Sequence, residues 1–137
     1  KVQAIWYTLS GDKMKDDCLF CKIAQKKVPA LILYEDEDLM VFLDAYPNTD
    51  GHTLVIPKKH YEDIYEIPAD MLSKITERGK IEAKKIMQKM NKKALTFLIN
   101  YGDAQAIKHL HLHLLPNFGE NSHKLKKEEV YEILMKD

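Results

Sequence analysis

His109-Leu110-His111-Leu112-His113 is the stretch on which the fold turns. In a strand, successive side chains point to opposite faces, so the three imidazoles line one surface while Leu110, Leu112 and Leu114 line the other. A helix would scatter the same residues around its axis. The leucine side therefore predicts core, and the histidine side predicts a place where a ligand with several bonding groups is held. Near neutral pH, histidine serves as nucleophile, proton carrier or metal ligand. The spacing alone leaves two readings open, a catalytic site and a zinc or copper site.

Outward from this stretch, Pro116 closes the apolar run, and Leu95-Thr96-Phe97-Leu98-Ile99-Asn100 stands before it as another. Leu31 to Tyr34, Leu39 to Leu43 and His52 to Ile56 are further runs, broken by Glu35 to Asp38 and Pro47 to Gly51. That is the pattern of an antiparallel meander. From Asp70 to Met90, the residues Met71, Leu72, Ile75, Ile86, Met87 and Met90 recur at helical spacing and predict a long amphipathic helix across one face of the sheet. Leu19 to Lys27 predicts a short helix ended by Val28-Pro29, and Glu128 to Met135 a short terminal one. The fold class expected is α+β: one domain with about five antiparallel strands, one long helix packed on them, and short N-terminal and C-terminal helices.

At 137 residues the chain has room for one domain and no second catalytic one. Lys+Arg and Asp+Glu balance at 21 each, so no net field argues for nucleic acid or an acidic membrane as partner. Arg78 is the only arginine, which removes the usual bidentate clamp for phosphate and leaves backbone N–H groups, histidines and neutral amides to hold an anion. No apolar run approaches a membrane span, and Lys1 to Lys13 lack the apolar centre of a signal peptide, so a cytoplasmic protein is expected. Met14 reads as a native start, making residues 1–13 an extension and 14–137 the domain with its tail helix. Lys58, Lys59 and Lys124-Leu125-Lys126-Lys127 read as solvated surface, and His123 as part of a surface loop without a role.

Cys18 and Cys21 form a C-x-x-C pair, which in a reducing compartment suits metal binding or redox chemistry better than a structural disulfide. No thioredoxin-like βαβ pattern surrounds it, which weakens the redox reading.

Two more segments extend the pattern: Gln105-Ala106-Ile107-Lys108 just before the histidines, and Gly51-His52-Thr53-Leu54-Val55-Ile56-Pro57-Lys58-Lys59-His60 upstream. Together they resemble the histidine-triad (HIT) nucleotide-binding family, whose pattern is Q-x-φ-x-H-x-H-x-H, φ apolar, downstream of a G-H-x-L-V-I-P-K strand. The resemblance runs from Cys18 to Pro116, in order and with similar spacing. It implies hydrolysis at the α-phosphate of purine nucleotide derivatives, either nucleoside phosphoramidates or dinucleoside polyphosphates. It also implies a homodimer formed over the strand and helix that precede Asn100. A nucleotide-sensing or partner-binding module with slow, incidental turnover would use the same pocket and stands as the alternative.

The same resemblance implies roles for individual residues. His111 would be the nucleophile, passing through a nucleotidyl-histidine intermediate, His113 would attend the phosphate or leaving group, and His52 would orient the triad. Asn100 and Gln105 match amide positions that contact ribose or phosphate, and the N–H of Ala106 would donate to phosphate. Asp44 matches the acid that holds the ribose hydroxyls, and Phe20, Ile23 and Phe42 match the apolar walls around the base. A turn-capping carboxylate for Asp44, and ordinary core for the three apolar residues, are the plainer alternatives.

In one branch of the family, the positions of Cys18, Cys21, His60 and His109 hold a structural zinc. Two thiolates and two imidazoles make a closed tetrahedral set, which would assign His109 to the fold and not to the substrate. Two departures stand out. The connection from Asn100 to Gln105 is shorter than usual and carries Ala104 where glycine is typical, a strained choice if φ is positive there. Ala106 also replaces a common serine or threonine, so a hydroxyl near the leaving group is missing.

Overall fold

Leu39-Met40-Val41-Phe42-Leu43 and Thr53-Leu54-Val55-Ile56-Pro57 are buried along their whole lengths, because the sheet they centre is covered on both faces. The computed structural model describes residues 5–7, 13–15, 17–119 and 124–137, so His123 lies outside the described residues. In chain order the elements are β1 (Ile5–Tyr7), β2 (Lys13–Lys15), α1 (Leu19–Ala24), β3 (Ile32–Glu35), β4 (Leu39–Leu43), β5 (Thr53–Pro57), α2 (Ala69–Lys89), β6 (Leu95–Leu98), β7 (Leu112–Pro116) and α3 (Lys127–Met135). The main sheet has five strands, all antiparallel, in the order β3-β4-β5-β7-β6. This is the predicted α+β architecture. Strands β1 and β2 pair antiparallel with each other outside the main sheet, and β2 runs across Met14, the expected start of the domain.

Alternation along the central strands sorts the core into two layers. Leu39, Val41, Leu43, Val55, Leu112 and Leu114 face Met71, Ile75, Ala83 and Ile86 of α2. Met40, Phe42, Leu54 and Ile56 face the other way and pack with Phe20, Cys21 and Ile23 of α1. Gly79 lets α2 lie close to the triad strand: a Cβ there would come within 2.6 Å of Leu112 Cδ2. Arg78, the lone arginine, is occupied on this side. It bonds the buried Glu82 at 3.0 Å and stacks on Tyr34, 3.5 Å from the ring centroid.

Three local expectations need correction. The α1 helix stops at Ala24 rather than Lys27, because Lys26 takes a left-handed φ of 62° that a helix cannot continue. The triad strand pairs only from Leu112 onward. Before it, the N–H of Leu110 donates to the carbonyl of Tyr61 at 2.8 Å, so His109 to His111 lie outside the ladder. Leu110 is still buried with Leu112 and Leu114, so the predicted leucine face holds. Lys58 is not free surface: its Nζ lies 2.7 Å from Glu35.

The C-terminal helix is tied to the sheet at its start. The buried carboxylate of Asp50 accepts the N–H groups of Lys124 and Leu125 at 3.0 Å, and Val130 and Leu134 enter the α2-side core. The chain turns into β5 at Gly51, whose φ of +92° suits glycine, and a Cβ there would meet Met90 Sδ at 3.0 Å.

Candidate functional site

The register of the sheet places the first residues. Phe42 pairs with Leu54, Leu54 with His113 and His113 with Leu98, so these residues form a row across four strands. His52 precedes β5 and Asp44 follows β4, and the N–H of Asp44 donates to the His52 carbonyl at 3.0 Å. His111 and His113 lie with ring centroids 4.6 Å apart. Phe20 stands edge-on to His111 at 5.0 Å and to Phe42 at 5.5 Å.

These groups line a cavity of about 650 Å³, a size suited to a small-molecule ligand. Of the residues expected at a nucleotide site, His111, His113, His52, Asp44, Ala106, Phe20, Ile23 and Phe42 line it. Asn100 and Gln105 do not. Asn100 Nδ2 lies 3.5 Å from His113 Nε2, so it touches the triad. Gln105 is turned away and buried, its Nε2 donating to the Glu62 carbonyl at 2.9 Å, so it shapes the loop instead of facing the cavity.

The shortened loop is a 3-10 turn, Gly102–Ala104, and its left-handed residue is Gly102, φ +67°, so Ala104 is not strained. Asp44 is a turn cap, the plainer of its two readings, with Oδ1 accepting the N–H of Tyr46 at 2.8 Å, while Oδ2 lies 3.4 Å from His52 Nε2. Sequence reading missed Tyr46, Asn48, Ile107, Lys127 and Glu128, which also line the cavity. Lys127 reads from the sequence as solvated surface, because nothing local reveals that α3 brings it to the cavity.

The imidazole protons follow from the fixed partners. The carbonyl of His109 lies 2.8 Å from His111 Nδ1 and can only accept, so Nδ1 carries the hydrogen and Nε2 keeps its lone pair. The N–H of Asn48 donates to His52 Nδ1 at 3.1 Å, which puts the His52 proton on Nε2, 2.9 Å from His113 Nδ1. His113 then carries its own proton on Nε2, and the Asn100 amide beside it must turn its oxygen, not Nδ2, towards that proton.

Burial is the main force lowering the pKa of His111, His52 and His113, and it takes His113 down to about 4, helped by the two neighbouring imidazoles. A neutral cluster at pH 7 has a stability consequence. Between the ordinary histidine value and about 4, the unfolded chain binds a proton at His113 that the folded chain refuses, so stability falls as pH is lowered through that window. Thermal unfolding followed from pH 7 to pH 4 should show this decline, and it should be shallower in His113→Gln; equal slopes would contradict it.

A second cluster lies under the first. Cys18, the N-cap of α1, and Cys21 meet His60 and His109, with all four ligand atoms within 4.8 Å of one another. Cys18 Sγ is 3.4 Å from His109 Nδ1, and Cys21 Sγ is 3.3 Å from His60 Nδ1 and 3.6 Å from His109 Nδ1. Zinc at its usual distances, ~2.3 Å to sulfur and ~2.0 Å to nitrogen, keeps tetrahedral S and N ligands about 3.6 Å apart, so the donor set fits. His109 Nε2 donates to the Pro57 carbonyl at 2.8 Å, leaving Nδ1 to face the sulfurs, the arrangement expected of a metal-binding imidazole. The hydrogen bond from Cys21 holds the Cys18 thiol far below its usual range, while the same bond and burial raise Cys21.

The comparisons agree with this geometry. The HIT domain model matches residues 25–120. The chain belongs to the HIT family. This family comprises nucleotide-binding hydrolases and transferases. An uncharacterized HIT-like protein of Methanocaldococcus jannaschii is 36% identical over 118 residues, covering 85% of this chain and 91% of that one. Adenylylsulfatase HINT3 of Arabidopsis thaliana is 34% identical over 110 residues, 79% of this chain and 56% of its own length. Among solved structures, a Zn-bound histidine triad family protein from Mycobacterium smegmatis superposes with a TM-score of 0.80 at 33% identity, covering 87% of this chain and 91% of that one.

Proposed function

We propose that this HIT protein hydrolyses purine nucleotide derivatives at the α-phosphate, nucleoside phosphoramidates ahead of dinucleoside polyphosphates, through a nucleotidyl intermediate on His111. The observation that carries this reading is the His111 Nδ1–H bond to the His109 carbonyl, because it leaves a neutral, oriented Nε2 lone pair in a ligand-sized cavity. Nε2 attacks phosphorus and forms the N–P bond while the bond to the leaving amine or phosphate breaks. The leaving group keeps that electron pair and takes its proton from water, since Ala106 offers no hydroxyl. Water then attacks the phosphorus, releasing the mononucleotide and restoring the imidazole. The Nε2–H of His113 offsets charge on the phosphoryl oxygens, and His52 holds His113 in the tautomer that can do so. Asp44 takes the ribose hydroxyls, and Phe20, Ile23 and Phe42 take the base.

Steady-state rates on adenosine and guanosine phosphoramidates and dinucleoside polyphosphates test this reading. Phosphoramidate turnover supports it. Negligible turnover with tight mononucleotide binding would replace it with a sensing module.

The reading includes a structural zinc on Cys18, Cys21, His60 and His109, which supplies cross-linking and no open position for chemistry. It includes a cytoplasmic location; among the described residues no helix is long and apolar enough to cross a membrane. It also includes a homodimer over α2 and β6, where Ile81 and the edge-strand Phe97 are exposed. Light scattering after size exclusion should give twice the chain mass, and Phe97→Asp should give the monomer. A monomeric wild type would remove the dimer from the reading.

A further inference from the structure

The cavity has two charged side chains that the proposed hydrolysis does not use. Lys127 and Glu128, from the first turn of α3, line it together with Phe20, Phe42 and Asp44. Both fall outside the segment matched by the family domain, which ends at residue 120. Neither side chain has an ion pair or hydrogen bond among the described residues, whereas the neighbouring Glu129 is spent on the helix start, accepting the Lys126 N–H at 3.2 Å. Their position is held firmly. Asp50 grips the backbone of Lys124 and Leu125, and Val130 and Leu134 anchor the helix in the core.

Their place along the cavity indicates what they would meet. Lys127 and Glu128 also border an adjoining cleft with Ala45 and Pro47, which follow Asp44 in the chain, whereas His111 and His113 line only the main cavity. A nucleotide with its phosphate at His111 and its ribose at Asp44 carries its base past Asp44, against the apolar wall and toward these two charges. We infer that Lys127 and Glu128 read the edge of the base and select guanine over adenine, an inference that rests on the nucleotide reading of the site. Guanine presents an acceptor, O6, beside two donors, N1–H and the 2-amino group. An ammonium matches the first and a carboxylate matches the other two. Adenine presents a donor beside the unprotonated N1, whose lone pair would face the carboxylate. Lys127 is half-buried and Glu128 exposed, so the discrimination rests on the match of charge to donor and acceptor pattern and not on a desolvated pocket.

Titration calorimetry of the full chain with GMP and with AMP tests the inference. Wild type should bind GMP about tenfold or more tightly than AMP. Glu128→Ala and Lys127→Met should each draw that ratio towards one, and the kcat/KM ratio of guanosine to adenosine phosphoramidates should follow. A wild-type preference for AMP would overturn the inference. So would a ratio that both variants leave unchanged, including an equal loss for both bases, which would place the pair on the sugar. In those cases both nucleotides still bind and the hydrolase reading survives. If neither nucleotide binds, the hydrolase reading falls and takes the base selection with it.

Discussion

Replacing His111 by alanine should lower turnover by a factor on the order of 10⁴ or more, while mononucleotide affinity changes only a few-fold. The expectation follows from the separation of duties in the cavity. On the proposed mechanism, the atom lost is the one that forms the bond to phosphorus, whereas the base wall of Phe20, Ile23 and Phe42, the ribose partner Asp44 and the imidazole of His113 all stay. No neighbouring group can take over attack: His52 Nδ1 is capped by the Asn48 N–H, and His113 Nδ1 accepts from His52. The cost to the fold is about 1 kcal/mol from the orphaned His109 carbonyl, plus the space left beside Phe20. The effect on rate is therefore separable from unfolding. Single-turnover assays with calorimetry on the same preparation check both halves, and retained hydrolysis would remove His111 as nucleophile.

Cys21→Ser should abolish metal retention, with wild type carrying about one zinc per chain. The variant should also lose about 3 kcal/mol of stability, or roughly 10 °C in melting temperature for a domain of this size. Cys21 has no exposed surface and sits in contact distance of both imidazoles of the cluster, so its loss leaves buried polar groups facing one another. The cluster brings α1 together with the segment after β5 and the segment before β7. The damage should extend to catalysis. On the proposed zinc site, His109 would provide a ligand nitrogen through its side chain, and its carbonyl is the acceptor that orients His111. Elemental analysis after purification without chelator, melting curves with and without a chelator, and kcat on the same samples test these linked outcomes. A metal-free wild type of full stability would sink the zinc assignment.

Much of this was legible because the signals are local or strictly periodic. The alternation of histidine and leucine survives even where the ladder does not reach, since Leu110 is pulled into the core beside Leu112 and Leu114. The Cys18, Cys21, His60 and His109 set could be proposed from resemblance alone, and the fold does bring the four side chains together. Other assignments depended on packing between distant segments. Gln105 bonds the Glu62 carbonyl, 43 residues away in sequence, and so leaves the cavity it was expected to face. Lys58 finds Glu35 across the sheet.

The sequence by itself determined the strands of the main sheet, the long helix and the row of imidazoles, because backbone periodicity and residue chemistry act over short spans; that Cys18 and Cys21 meet the imidazoles came from the resemblance. Only the tertiary structure decided which nitrogen of each histidine holds its proton, since that depends on acceptors and donors supplied by other segments, the His109 carbonyl and the Asn48 N–H. It also decided that the last helix, tied down through Asp50, brings Lys127 and Glu128 to the cavity. A buried carboxylate gripping backbone 74 residues further along leaves no pattern in the sequence around either end.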